Sequence, residues 1–227
     1  MTKLTTLSDS LEITLKEGEL QNVTFDLAET IGDTFLNEGI LKDIPIIGTI
    51  VGLTKSTLNI RDQLFLKKLI YFMSELSNVS KEDRFEQINK IESSESYKEK
   101  VGEKLLYIIE KCEDHEKAKL VGKLFNSYLK GKITYSEFLR CSNSIQNLFI
   151  SDIRYFLNYS QETIQIDIAS QYIFVGLMKI VFTPPKMVDR SSVYFKPSGT
   201  KVELSPGSTI GKITELGKAL KRALNAE

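Results

Sequence analysis

At 227 residues, 41% hydrophobic and 26% charged, the chain has an ordinary globular composition, which excludes intrinsic disorder and allows one sizeable core or two small ones. Thirty basic residues balance thirty acidic ones, so bulk charge argues for neither a nucleic-acid nor a membrane partner. Only two cysteines occur, Cys112 and Cys141, both within helix-like sequence, which excludes a disulfide framework and points to a reducing compartment.

The distribution of charge says more than its sum. Residues 1–40 hold two lysines against eight carboxylates, and residues 181–227 hold eight basic side chains against four acidic ones. Such polarity favours head-to-tail contacts between copies. The N-terminus, MTKLTTLSDSLEITLKEGEL, has neither an apolar h-region nor a small-residue cleavage pattern, so a cytoplasmic protein is expected.

Val23 to Gly39 carries Phe25, Leu27, Ile31, Phe35 and Leu36 at helical spacing, opposed by Asp26, Glu29 and Asp33, and reads as an amphipathic helix. The most informative stretch follows. IPIIGTIVGL runs straight into the basic amphipathic segment KSTLNIRDQLFLKKLIYFMSEL. From Ile44 to Ile60 there are 17 residues and one charge, Lys55, close to the shortest helix that crosses a hydrocarbon core. Gly48 and Gly52 form a G-x-x-x-G pair, a helix-pairing face in an apolar segment. Ile44, Ile47, Gly48, Ile50, Gly52 and Leu53 are therefore the candidate membrane or oligomer segment. Two other readings stand beside a permanent span: a buried hairpin in a soluble helical core, started by Pro45, and a segment buried at rest that enters a membrane when triggered.

Beyond Ser56 the stripe Leu58, Ile60, Leu64, Phe65, Leu69, Phe72, Met73 and Leu76 predicts a core-facing helix. Ser80, three residues before Asp83, predicts an N-cap. Two antiparallel helices joined near Asp114 follow, then a tight turn at Gly131 and a capping box, Thr134 with Glu137, opening a helix that reaches Phe156. After Asn158 come two short helical runs ending in IASQYIFVGLMKIV, stopped by Pro184-Pro185. VYFKP and TKVEL are strand-like and separated by Ser198-Gly199, and Thr214 opens a last helix, GKITELGKALKRAL. Helix, hairpin with a basic tip and helix is the order of a winged-helix domain.

The expected fold is mainly α: a helical N-terminal and central domain, then a small winged-helix-like α+β C-terminal domain whose sheet lies at about 190–213. The divisions are an acidic segment over 1–40, a helical domain over 41–158 and a sensor domain over 159–227.

Catalytic motifs are missing from the sequence. His115 is the single histidine, and with Cys112 and Asp114 it does not complete a tetrahedral metal site. There is no Walker sequence, no dinucleotide fingerprint, no H-E-x-x-H and no nucleophile elbow. KLFNSYLKGKITYSEFLR places Lys130, Lys132 and Thr134 where a calcium loop needs hard oxygen ligands. No enzyme, cofactor or metal is expected. Cations interleaved with aromatic residues near the C-terminus suggest contact with phosphates and exposed bases. Lys196, Lys201, Lys212 and Arg222 are the phosphate candidates, and Tyr194 and Phe195 the stacking candidates.

Residues 35–160, through ILKDIPIIGTIVGLTKSTLNIRDQLFLKKLIYFMSEL and SYKEKVGEKLLYIIEKCEDHEKAKLVGKLFNSYLKGKITYSEFLR, resemble a group of small helical prokaryotic proteins, and with it the membrane effector of the Hailong anti-phage defence system. That resemblance implies an oligomeric, channel-forming effector held shut by short DNA oligomers from a partner nucleotidyltransferase. Ile44 to Leu53 would be its membrane-active part and the basic C-terminal region its oligonucleotide sensor. It also implies a cytoplasmic resting state and membrane association on activation. The alternative is a soluble helical adaptor or regulator with a winged-helix-like binding end and no membrane activity.

Overall fold

The computed structural model describes residues 3–18, 20–23, 44–53, 59–97, 99–189 and 202–225. The predicted helix over Val23 to Gly39, apart from Val23 itself, and the VYFKP strand lie outside them. The chain divides into two compact units, Met1–Asn158 with Ala219–Glu227, and Tyr159–Lys218.

The first unit contains α1 (Lys3–Glu17), α2 (Pro45–Leu53), α3 (Ile60–Ser74), α4 (Lys81–Glu92), α5 (Val101–Lys111), α6 (His115–Leu129), α7 (Tyr135–Asn147) and α8 (Ile150–Asn158). Local capping chemistry sets most of these boundaries. Asn59, Ser80, Asp114 and Thr134 each accept a hydrogen bond from a first-turn amide, and Thr134 and Glu137 close the reciprocal capping box. Helix α6 ends in a Schellman turn: Gly131 adopts φ 70°, its amide bonds the Tyr128 carbonyl, and the Lys132 amide bonds that of Ser127.

The core of this unit is centred on the α3–α6 pair, where the Phe72 and Phe125 rings are 5.9 Å apart and Phe138 of α7 lies 5.2 Å from Phe125, all three fully buried. The two helices approach closely at Gly122. A Cβ there would lie 2.6 Å from the Phe72 carbonyl oxygen and 3.0 Å from Glu75 Cβ. Gly122→Ala should therefore lower the urea unfolding midpoint, with a cost of about 1–3 kcal/mol for overpacking. A variant as stable as the parent would mean that the helices separate freely. On the other side of the unit, α1 packs against α2, α4 and α5.

Two expectations change in this unit. The stripe of α3 is not core throughout: Ile60 and Leu64 are 76% and 58% exposed, and burial begins at Leu66, because the first turns of α3 line an open groove with α1 and α5 rather than the packed core. The helix from Thr134 is not continuous to Phe156 either. Leu148 is extended (φ −110°, ψ 149°), dividing it into α7 and α8.

The second unit contains β1 (Thr163–Gln165), α9 (Ile166–Phe174), β2 (Met178–Thr183), β3 (Lys186–Asp189), β4 (Val202–Ser205) and β5 (Ser208–Ile213), and α10 (Glu215–Leu224) begins in it. The antiparallel sheet has the order β1-β5-β2, and β3 pairs with β4. This is the small winged-helix-like α+β arrangement, with one helix between its first two strands. Its position differs from expectation, since strands begin at Thr163 and Met178 rather than near 190. The apolar run IFVGLMKIV reads as helix, but Gly176 (φ 79°) ends α9 in a second Schellman turn and Leu177 leads into β2. Pro184 and Pro185, which have no amide to donate, separate β2 from β3. Gly211 lies directly beneath Ala169 of α9, where an added Cβ would overlap the alanine methyl.

Candidate functional site

Helix α2 is nine residues long, and eight of them are apolar or glycine. Ile46, Ile47 and Ile50 are buried. The helix is fastened to α1 through hydroxyl groups: the Ile46 amide donates to Thr14 Oγ1 at 3.0 Å, and Thr49 Oγ1 lies 2.7 Å from Ser10 Oγ. Thr14 and Ser10 are in turn anchored, donating to the Ser10 and Thr6 carbonyls. The six candidate residues divide by position. Ile47 and Ile50 face inward, Ile44 and Gly48 are half-buried, and Gly52 and Leu53 are exposed. Among the described residues nothing lies within 4 Å of a Cβ position at Gly52, so packing against them does not explain a glycine there. No helix among the described residues is long and apolar enough to cross a membrane.

Of the phosphate and stacking candidates, Tyr194, Phe195, Lys196 and Lys201 lie outside the described residues. Lys212 is exposed on β5, its Nζ 4.0 Å from Glu162 Oε2. Arg222 belongs to the first unit, where Nε donates to the Lys132 carbonyl at 3.0 Å and Nη2 reaches Glu137 at 3.4 Å. It braces the start of α7 from the side of the capping box. Lys179 joins Lys212 instead: the two are direct cross-strand partners and both exposed. Like charges opposite each other destabilise a sheet, and an anion across both offsets that cost. The sequence reading missed Lys179 because it carried a helical run through Val181; the strand formers Ile180, Val181, Phe182 and Thr183 were the available signal.

A second feature was not legible in sequence because four separate segments build it. A groove of about 450 Å³ is floored by Leu4 and Leu7 of α1, Leu64 and Phe65 of α3, and Leu106 and Tyr107 of α5. Its rim carries Arg61, Asp62, Lys67 and Lys68 on α3, with Glu110, Glu113, Asp114 and His115 at the α5–α6 turn. The His115 and Tyr71 rings are 4.5 Å apart, and Lys67 Nζ stands 5.8 Å over the same Tyr71 ring. Lys68 Nζ donates to the Glu110 carbonyl at 3.1 Å and to that of Cys112, tying the end of α5 to α3.

Neither cysteine offers a thiolate. Burial pushes the Cys112 and Cys141 thiols up to about 12, and Cys112 Sγ donates to the Ile108 carbonyl. No cluster of three or more metal-ligating side chains occurs among the described residues. No protein family, curated protein or solved structure matches this chain.

Proposed function

We propose that the protein is an anti-phage defence effector, an oligomer that permeabilises membranes in the manner of an ion channel and is gated by a nucleic-acid or nucleotide ligand at its C-terminal unit. The observation that carries this reading is α2. Eight of its nine residues are apolar or glycine and Thr49 is its single polar side chain, so it gains from a nonpolar environment over most of its surface. At rest Ile46, Ile47 and Ile50 have such an environment while Gly52 and Leu53 are exposed, and hydroxyl hydrogen bonds to α1 add to that packing. Such a helix is suited to release. Its shortness is offset when several copies line one pore, and Gly52, with no described residue within 4 Å of its Cβ position, suits the approach of a second backbone.

The second reading, a soluble adaptor with a winged-helix-like binding unit, is favoured by the burial of Ile46, Ile47 and Ile50. Membrane potential separates the two. Expression should depolarise cells, and co-expression of an oligonucleotide-synthesising partner should restore the potential; undisturbed potential under both conditions favours the adaptor. Ligand gating has its own test. A short single-stranded DNA should bind through Lys179 and Lys212, with affinity falling as salt rises because phosphate contacts release counterions. Binding that is insensitive to salt, or unchanged in Lys212→Gln, would remove the sensor role from this face.

A further inference from the structure

We infer that the groove between α1, α3 and α5 is a binding site for an amphiphile with a single anionic head and an acyl or aryl body. This inference stands apart from membrane permeabilisation. The volume of about 450 Å³ is within the ordinary range for small-molecule sites, and the mix of apolar floor and a few polar groups is their usual chemistry. The floor of four leucines, Phe65 and Tyr107 matches a chain or ring rather than a sugar or a peptide backbone.

The sign of the head follows from which charges on the rim are already answered. Glu110 is paired with Arg61 at 3.2 Å, and Glu113 with the buried Lys117 at 3.0 Å. Asp114 accepts the Lys117 amide at 2.9 Å as the cap of α6. Asp62 stands in the first turn of α3, where the helix dipole favours a negative charge. Among the described residues, Lys67 is the groove cation that contacts only an aromatic face. His115 stands beside the same face, 3.9 Å from Glu116. A monoanionic head placed over Tyr71 would meet Lys67 and the imidazole. A cationic head over Tyr71 would be repelled by Lys67, and Glu110 and Glu113 on the rim are already paired. A nucleotide would bring several charges to a rim with one cation to spare and would leave the leucine floor unused.

One chemistry has two sources, a free fatty acid and the acyl chain of an anionic phospholipid. The probes are decanoate and decyltrimethylammonium below their micellar concentrations, titrated calorimetrically into the full chain, and sedimented vesicles of phosphatidylcholine with phosphatidylglycerol. Decanoate should bind once per chain and more tightly than the cation. Lys67→Gln should weaken decanoate about tenfold, the loss of one hydrogen bond to a charged group, and leave the cation unaffected. Leu64→Asn, at a side chain 58% exposed in the free protein, should weaken both without altering the fold by circular dichroism. Vesicle binding lost in the same two variants assigns the phospholipid, and decanoate binding without vesicle binding assigns the free acid. The site is overturned if decanoate does not bind, if the two heads bind equally, or if neither substitution changes decanoate affinity.

Discussion

Arg84→Met should lower the stability of the first unit by about 3 kcal/mol, the order expected when buried carbonyls lose their charged donor. Arg84 is 3% exposed, and its guanidinium donates to the carbonyls of Leu15 at 2.9 Å, Gly18 at 2.6 Å and Val79 at 3.2 Å. Two of these lie at the C-terminal end of α1, where four carbonyls lack helical partners and the dipole favours a cation. Methionine keeps the stem's volume and removes every donor, so the loss is electrostatic rather than a cavity. The urea midpoint should fall at unchanged slope, whereas Lys81→Ala, on an exposed turn of the same helix, should stay within about 0.5 kcal/mol of the parent. A shift for Arg84→Met no larger than that control would mean that water takes over the three carbonyls. Because α1 carries the hydroxyls that hold α2, the same variant should also depolarise cells at a lower expression level if release of α2 is the activating event.

Arg84 also shows where sequence reading stops. In KEDRFEQINKIE it looks like one more solvated charge, and only the return of α1 across α4 makes it a buried donor. Local signals were legible: Ser80, Asp114, Thr134 with Glu137, Gly131 and Thr214 each act through atoms within four residues, and each caps or turns the chain as its chemistry requires. Thr214 Oγ1, for instance, accepts the Gly217 amide at the start of α10. Signals needing a partner far along the chain were not. Met178 to Thr183 is apolar enough for either helix or strand, and its pairing with β5 decides the matter from thirty residues away. The groove fails for the same reason: Leu4, Leu64 and Tyr107 each look like ordinary stripe residues until three helices bring them together. Of the candidate site, the apolar segment was legible because its composition is extreme, and Lys179 was not because its face depends on the strand assignment.

The decisive test of the membrane reading is a charge placed where the resting fold tolerates it and a bilayer does not. Ile50→Asp does not meet that condition, because Ile50 is 6% exposed and a carboxylate there would disrupt the packing of α2 on α1 whatever the protein does. Leu53 is better placed. It is 39% exposed at the end of α2, so aspartate there remains in water at rest, and the effect on stability should be within about 0.5 kcal/mol. In the apolar run from Ile44 to Ile60 the same position is near the middle, where an aspartate would cost on the order of 2.5–3.5 kcal/mol on insertion scales. In an oligomer every copy would carry that cost, so the open state should be strongly disfavoured even if one protomer tolerates it. Leu53→Asp should therefore keep the parent's urea midpoint and oligomer size yet leave the membrane potential of expressing cells intact, while Leu53→Met depolarises them as the parent does. If Leu53→Asp assembles normally and still depolarises, α2 does not enter the lipid, and the permeabilising element lies elsewhere in the chain.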